Sequence, residues 1–207
     1  RRRHRTASAG QLAQLMPLAV SLAVMAVWIP MFGGDLMPMI DQVRRAVVWV
    51  YNNAKAFNAD PERIYVYGHS SGAHLTGNIL TTDWPKAYGA PMSIIKGGMV
   101  TSGMYELAPV RLSARSKYVN FTDEMVEDLS SIRHIDRLHC PIIVSYGDQE
   151  SPEFKRQNIE FAAAVEKAGK KVKLQVGRGL NHFEMAEALA NPYSMLGRSA
   201  LELLGLK

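Results

Sequence analysis

The chain has 207 residues, 47% of them hydrophobic and 21% charged, a composition that excludes a disordered or fibrous protein and suits one well-buried domain over residues 1–207. Its net charge of +5 is concentrated at one end: four of the 24 basic residues are Arg1, Arg2, Arg3 and Arg5, and without them 20 basic side chains face 19 acidic ones. A near-neutral body argues against a nucleic-acid partner, and a single cysteine, Cys140, excludes an internal disulfide.

In chain order, residues 1–8 read as a basic tail. Together with the apolar run over 15–29 they have the layout of a secretory signal. Pro17 interrupts that run, however, no small-x-small cleavage site follows, and the run is short for a bilayer span. The reading adopted is a helix over 9–21 and a buried strand over 23–29, in a cytoplasmic protein with no membrane partner; export is the alternative if residues 1–30 are a signal. Gly33-Gly34-Asp35 is a loop. Over 38–57 the apolar Val43, Ala46, Val47, Val50, Ala54 and Phe57 recur at helical spacing, with Asp41, Arg44 and Arg45 off the stripe, so an amphipathic surface helix is expected. A turn cluster, Asn58-Ala59-Asp60-Pro61, leads into a short apolar run over 64–67 that suits a buried parallel strand.

Gly68-His69-Ser70-Ser71-Gly72 follows this strand at once, and a helix is expected from there to about Thr82. Trp84 and Pro85 are assigned to a loop and residues 94–102 to a glycine-interrupted strand. Residues 104–135 carry only short helical pieces and read equally as an insertion covering a pocket or as a plain connecting loop. Residues 141–146 are a strand, and Cys140, just before it, reads as a small buried hydrophobe. Ser151-Pro152 caps a helix that ends at Gly169. Then come a strand over 172–176, a loop over 177–182 and a helix over 183–204 broken at Asn191-Pro192. Strands alternating with helices imply an α/β fold with a parallel sheet covered on both faces, whose ligands bind at the carboxyl ends of the strands.

A G-x-S-x-G between strand and helix is a nucleophile elbow, in which the turn exposes the serine oxygen and the glycines let the two elements pass. Ser70 alone has glycines at both minus two and plus two, so it is the candidate nucleophile. Ser71 would offer its backbone N–H, at a helix start, to a developing oxyanion. A serine hydroxyl needs a base, and His182 stands in the loop after the last strand where such a base belongs. The histidine needs an acid to orient it; Asp148 and Glu150 share one loop, and the residues alone do not separate them. His69, Trp84, Met104 and Tyr105 are candidates for a substrate pocket, although core packing more often explains residues such as Trp84, Met104 and Tyr105. No spacing of histidine, cysteine or carboxylates suggests a metal, and no motif suggests a cofactor.

The segments G-H-S-S-G-A-H-L, Y-G-D-Q-E-S-P-E-F-K-R-Q and G-L-N-H-F-E resemble the arylformamidase branch of the α/β-hydrolases and its bacterial esterase relatives, from about Ala9 to the C-terminus. The resemblance implies a three-layer sandwich, a mostly parallel sheet flanked by helices. It implies a serine hydrolase that cleaves a small carboxylic ester or aryl formamide through an acyl-enzyme on Ser70. A homodimer is compatible with the sequence, which leaves the oligomeric state open. The resemblance assigns the acid to Glu150, where the family more often has aspartate, and leaves Asp148 as the alternative. The family's H-G-G oxyanion motif does not occur in this sequence, and the strands correspond to the family's fourth to eighth. An N-terminally truncated hydrolase fold is therefore expected, with a gap beside the strand before Ser70. The competing expectation is a catalytically impaired hydrolase-fold protein used for binding or assembly.

Overall fold

A computed structural model describes residues 33–206; the tail, helix, strand and signal expected within residues 1–30 lie outside the described residues. Four strands, β1 (Tyr65–His69), β2 (Gly97–Thr101), β3 (Ile142–Gly147) and β4 (Val172–Gly177), pair in parallel in the order β1-β2-β3-β4. Parallel strands need crossovers, and helices lie in each of them: α2 (Ser71–Leu80) and α3 (Trp84–Tyr88) between β1 and β2, α4 (Leu107–Val110) and α5 (Asp123–Leu129) between β2 and β3, and α6 (Pro152–Lys167) between β3 and β4; α1 (Met37–Asn53) precedes β1, and α7 (His182–Ala190) and α8 (Met195–Leu203) follow β4. β1 stands at one end of the described sheet.

Side-chain alternation along the strands divides the sheet into two apolar faces. Val66, Val100, Ile142 and Val144 pack with Ile40 and Val43 of α1, Leu75 and Ile79 of α2, and Phe161 and Val165 of α6. Met99 and Ile143, which point the other way, pack with Met185 of α7 and Leu196 of α8. The result is a three-layer arrangement with the larger core on the α1–α2–α6 side.

Several boundaries differ from the sequence expectations. The strand expected over 94–102 is shorter; Ile94 and Ile95 are buried before it begins. Trp84 opens a five-residue helix rather than sitting in a loop, because Asp83 accepts the Lys86 N–H at 3.1 Å and Gly89, at φ 62°, ends the turn. The helix expected over 38–57 stops at Asn53 and continues as a 3₁₀ turn, Ala54–Phe57, that Asn58 closes at φ 55°. Phe57 thereby leaves the apolar stripe and is 57% exposed. The last helical stretch is two helices, separated where Asn191 and Pro192 interrupt the periodicity. Cys140 is half-buried and packs against the core, and burial pushes its thiol up to about 12. Among the described residues no helix is long and apolar enough to cross a membrane.

Candidate active site

The carboxyl ends of β1, β2, β3 and β4 deliver Ser70, Ser102, Glu150 and His182 to one rim of the sheet. Local sequence explains each position. At Gly68 a Cβ would lie 2.1 Å from the carbonyl oxygen of Gly72 and 2.4 Å from Thr76 Oγ1, so strand and helix cross there only because no side chain intervenes. Gly72 contributes differently from the expectation. A Cβ on it would meet no described atom within 4 Å, and what matters at the crossing is its carbonyl.

Ser70 sits between them at φ 56°, ψ −120°, outside the regions that L-residues ordinarily occupy. Its N–H donates to the Thr101 carbonyl at 2.9 Å, and its carbonyl accepts from the N–H groups of Ala73 and His74 at 3.0 and 3.2 Å. The unusual backbone is thus over-determined from the sheet side and the helix side. Ser71 is the first residue of α2, so its N–H has no partner within the helix.

His182 is the first residue of α7, and a capping box pins it. Asn181 Oδ1 accepts from the N–H groups of Phe183 and Glu184 at 2.9 and 3.1 Å, while Glu184 Oε2 accepts from the Asn181 N–H at 2.8 Å. The imidazole Nε2 lies 2.9 Å from Ser70 Oγ and Nδ1 lies 3.1 Å from Glu150 Oε2. A carboxylate at Nδ1 assigns the ring proton to that nitrogen and leaves Nε2 to accept from the serine hydroxyl. The ring is flanked by Phe154, centroids 4.4 Å apart, and by His69 at 4.6 Å.

Glu150 and Asp148 share the turn after β3 but face different partners. Glu150 has a fully buried side chain. Its Oε1 accepts from the Gly147 N–H at 2.8 Å and from Ser102 Oγ at 2.5 Å, leaving Oε2 to His182. Burial pushes this carboxyl up, but the hydrogen bonds from His182, Ser102 and Gly147 outweigh burial and hold it below the usual carboxylate range. Asp148 Oδ1 instead accepts from the Gly179 N–H at 2.8 Å, tying the β3 turn to the loop that carries His182.

Of the pocket candidates, only Met104 lines the cavity next to Ser71. That cavity, about 40 Å³, is bounded by Leu36, Met39, His74, Arg115 and others, with most of its wall coming from residues 104–121. Trp84 is buried against Tyr88 in the core. Tyr105 is fully buried, stacks on Phe161 at 4.1 Å, and gives its hydroxyl to Asn158 Oδ1 at 3.0 Å. Its inward turn follows from Gln157 Oε1, which accepts the backbone N–H groups of both Tyr105 and Glu106. His69 donates from Nε2 to the His182 carbonyl at 2.7 Å, and burial lowers its pKa, with the neighbouring His182 adding to the shift. Sequence reasoning did not single out Ser102, Arg115 or Phe154. Phe154 lies in a quoted motif, but neither Ser102 nor Arg115 has a periodic or compositional signal. Among the described residues no group of three or more His, Cys, Asp or Glu side chains gathers as a metal site.

A family model described as BD-FAE matches residues 35–83, which include β1 and the turn bearing Ser70. The kynurenine formamidase of Danio rerio is 33% identical over 177 residues, spanning 83% of this chain, and that of Salmo salar is 31% identical over 200 residues, spanning 91%. In fold, the acetyl ester-xyloside bifunctional hydrolase of Caldicellulosiruptor lactoaceticus superposes with a TM-score of 0.65 at 21% identity, over 83% of this chain and 67% of that one. The chain has the α/β-hydrolase fold. In sequence its likeness is to the arylformamidase and esterase branch. The chain spans 58% and 66% of the lengths of the two formamidases.

Proposed function

We propose that the chain is a serine hydrolase acting by acyl transfer on a small carboxylic ester or aryl formamide, with Ser70 as nucleophile, His182 as general base and Glu150 as the acid that orients it. The observation that carries this reading is the unbroken hydrogen-bonded series from Ser70 Oγ through both nitrogens of His182 to Glu150, on a serine held at φ 56°. Such strain clusters where geometry serves chemistry. The names of the relatives agree with the reaction class, since two are kynurenine formamidases.

In the proposed cycle Ser70 Oγ bonds to the substrate carbonyl carbon as its proton passes to His182 Nε2. The carbonyl oxygen becomes an oxyanion facing the Ser71 N–H and the positive end of α2. Glu150, kept ionised, stabilises the imidazolium. The imidazolium then protonates the departing alcohol or amine, and the carbon–leaving-group bond breaks to give acyl-Ser70. Water attacks the acyl carbon, its proton going to His182, and the carboxylic or formic acid leaves as Ser70 recovers its proton.

The test is stoichiometric labelling of Ser70 by a fluorophosphonate, paired with turnover of p-nitrophenyl esters and N-formyl aromatic amines. Wild-type protein should be labelled and should hydrolyse at least one class. Ser70→Ala should abolish labelling, and Ser70→Ala or His182→Ala should each lower kcat by about 10⁴-fold or more. Well-folded wild-type protein that takes no label and turns over neither class would leave the binding or assembly reading in its place.

A further inference from the structure

Ser102 combines an expensive backbone with a single use for its side chain. It is completely buried and has φ 55°. The other non-glycine residues at positive φ among those described are Asn58, a type that tolerates this region, and Ser70. Glycine would take up the Ser102 conformation without the steric penalty that a Cβ carries. A serine kept there points to its hydroxyl, and the partner given to that hydroxyl is Glu150 Oε1, at 2.5 Å.

The backbone around it joins the parts of the site. The N–H of Ser70 donates to the carbonyl of Thr101, and the N–H of Ser102 donates to the carbonyl of Ser145 at 2.7 Å. The end of β2 is therefore bonded to the strand bearing Ser70 on one side and to the strand leading to Glu150 on the other. A glutamate carries one more rotatable bond than an aspartate, so its carboxylate has more orientations to lose. Two donors on Oε1, the Ser102 hydroxyl and the Gly147 N–H, remove that freedom.

We infer that Ser102 is a positioning residue for the proposed reaction: by anchoring Oε1 of Glu150 it aims Oε2 at Nδ1 of His182, from a strand that also fixes the backbone of Ser70. This inference rests on the reading of Glu150 as the acid and extends it to a fourth residue. The hydroxyl touches neither substrate nor reacting atoms; it acts through the carboxylate.

The experiment is a double-mutant cycle between Ser102 and Glu150, read by turnover on the ester or formamide that the wild type accepts. Ser102→Gly removes the hydroxyl while suiting the backbone, so the relieved backbone should offset part of the stability lost with the hydrogen bond and the variant should unfold at a higher temperature than Ser102→Ala. Ser102→Ala removes the hydroxyl alone. Both should lower kcat by about tenfold, the scale of a lost hydrogen bond to a charged group, with KM changed less than about twofold. In a Glu150→Gln background the same substitutions should cost less than about twofold, because the orientation they disturb is already lost. The downfield proton resonance of the His182–Glu150 hydrogen bond should move in Ser102→Gly and stay in place if the hydroxyl only fills space. Wild-type turnover in Ser102→Gly, or an equal loss with and without Glu150, would overturn the inference while leaving Glu150 as the acid. An unchanged rate in Glu150→Gln alone, with Ser70 still labelled, would instead remove the acid assignment and this inference with it.

Discussion

At Gly68 the strand before Ser70 and the helix after it approach so closely that a methyl group has no space, and what stands in the way is the backbone carbonyl of Gly72 together with the Thr76 hydroxyl. Gly68→Ala should therefore destabilise the protein by about 3 kcal/mol, the upper range for overpacking, measured as a lower denaturant midpoint at unchanged slope, with activity falling as Ser70 shifts. His74, four residues past Ser70 on α2, raises a different question. It is buried, gives Nε2–H to the Leu129 carbonyl at 3.0 Å, and burial lowers its pKa to about 4. The unfolded chain, titrating near 6.5, binds the proton first, so stability present above pH 6.5 is lost as pH falls toward 4. The loss should reach about 3 kcal/mol. His74→Gln should flatten most of that slope in denaturation curves taken at pH 7 and pH 5; the remainder belongs to His69, which is lowered too. A slope as steep in His74→Gln as in the wild type would contradict the assignment.

Among the elements, α7 shows how a helix start doubles as a mount. Its N-cap is Asn181 and its first residue is His182, so the capping box that satisfies the terminal N–H groups also sets where the imidazole stands. Asn181→Ala should cost about 1 kcal/mol of stability, and turnover should fall further than stability does, since the ring loses its register to Ser70. Measuring both on the same preparation separates the two effects. The helix α6 was readable in advance, because Ser151 and Pro152 begin it and Gly169 follows its end. α3 was not: five residues offer no period, and what makes Trp84–Tyr88 helical is one cap and a buried tryptophan. The short helical pieces that the sequence suggests within residues 104–135 are short helices in the structure, and their buried residues Leu107, Val110 and Val126 join the main core. Their anchoring depends on Gln157 of α6, which binds the backbone at Tyr105 and Glu106, a contact without sequence periodicity.

At the scale of the whole molecule, the sheet carries unequal cores. The smaller one holds α7 and α8 around Met185, which is fully buried and would touch a side chain placed at either Gly147 or Gly177. Met185→Ala should cost about 2–5 kcal/mol, read in denaturant unfolding, and should loosen the His182 loop against β3 and β4. The sequence by itself determined the layering, since alternating apolar runs and amphipathic helices can bury their faces only as a covered parallel sheet. It also singled out Ser70 and His182, whose signals are local: glycines on both sides of one, a loop after the last strand around the other. Glu150 against Asp148 was open to the residues alone and separated only by resemblance. In the structure, residues two apart on one turn face opposite ways, Glu150 to His182 and Asp148 to Gly179. Nor could the sequence identify Ser102, or decide between core and pocket for Trp84 and Tyr105, which packing places in the core. Those outcomes depend on which partner stands across the sheet or on the next helix, and such partners are set by the packing of segments distant in the chain.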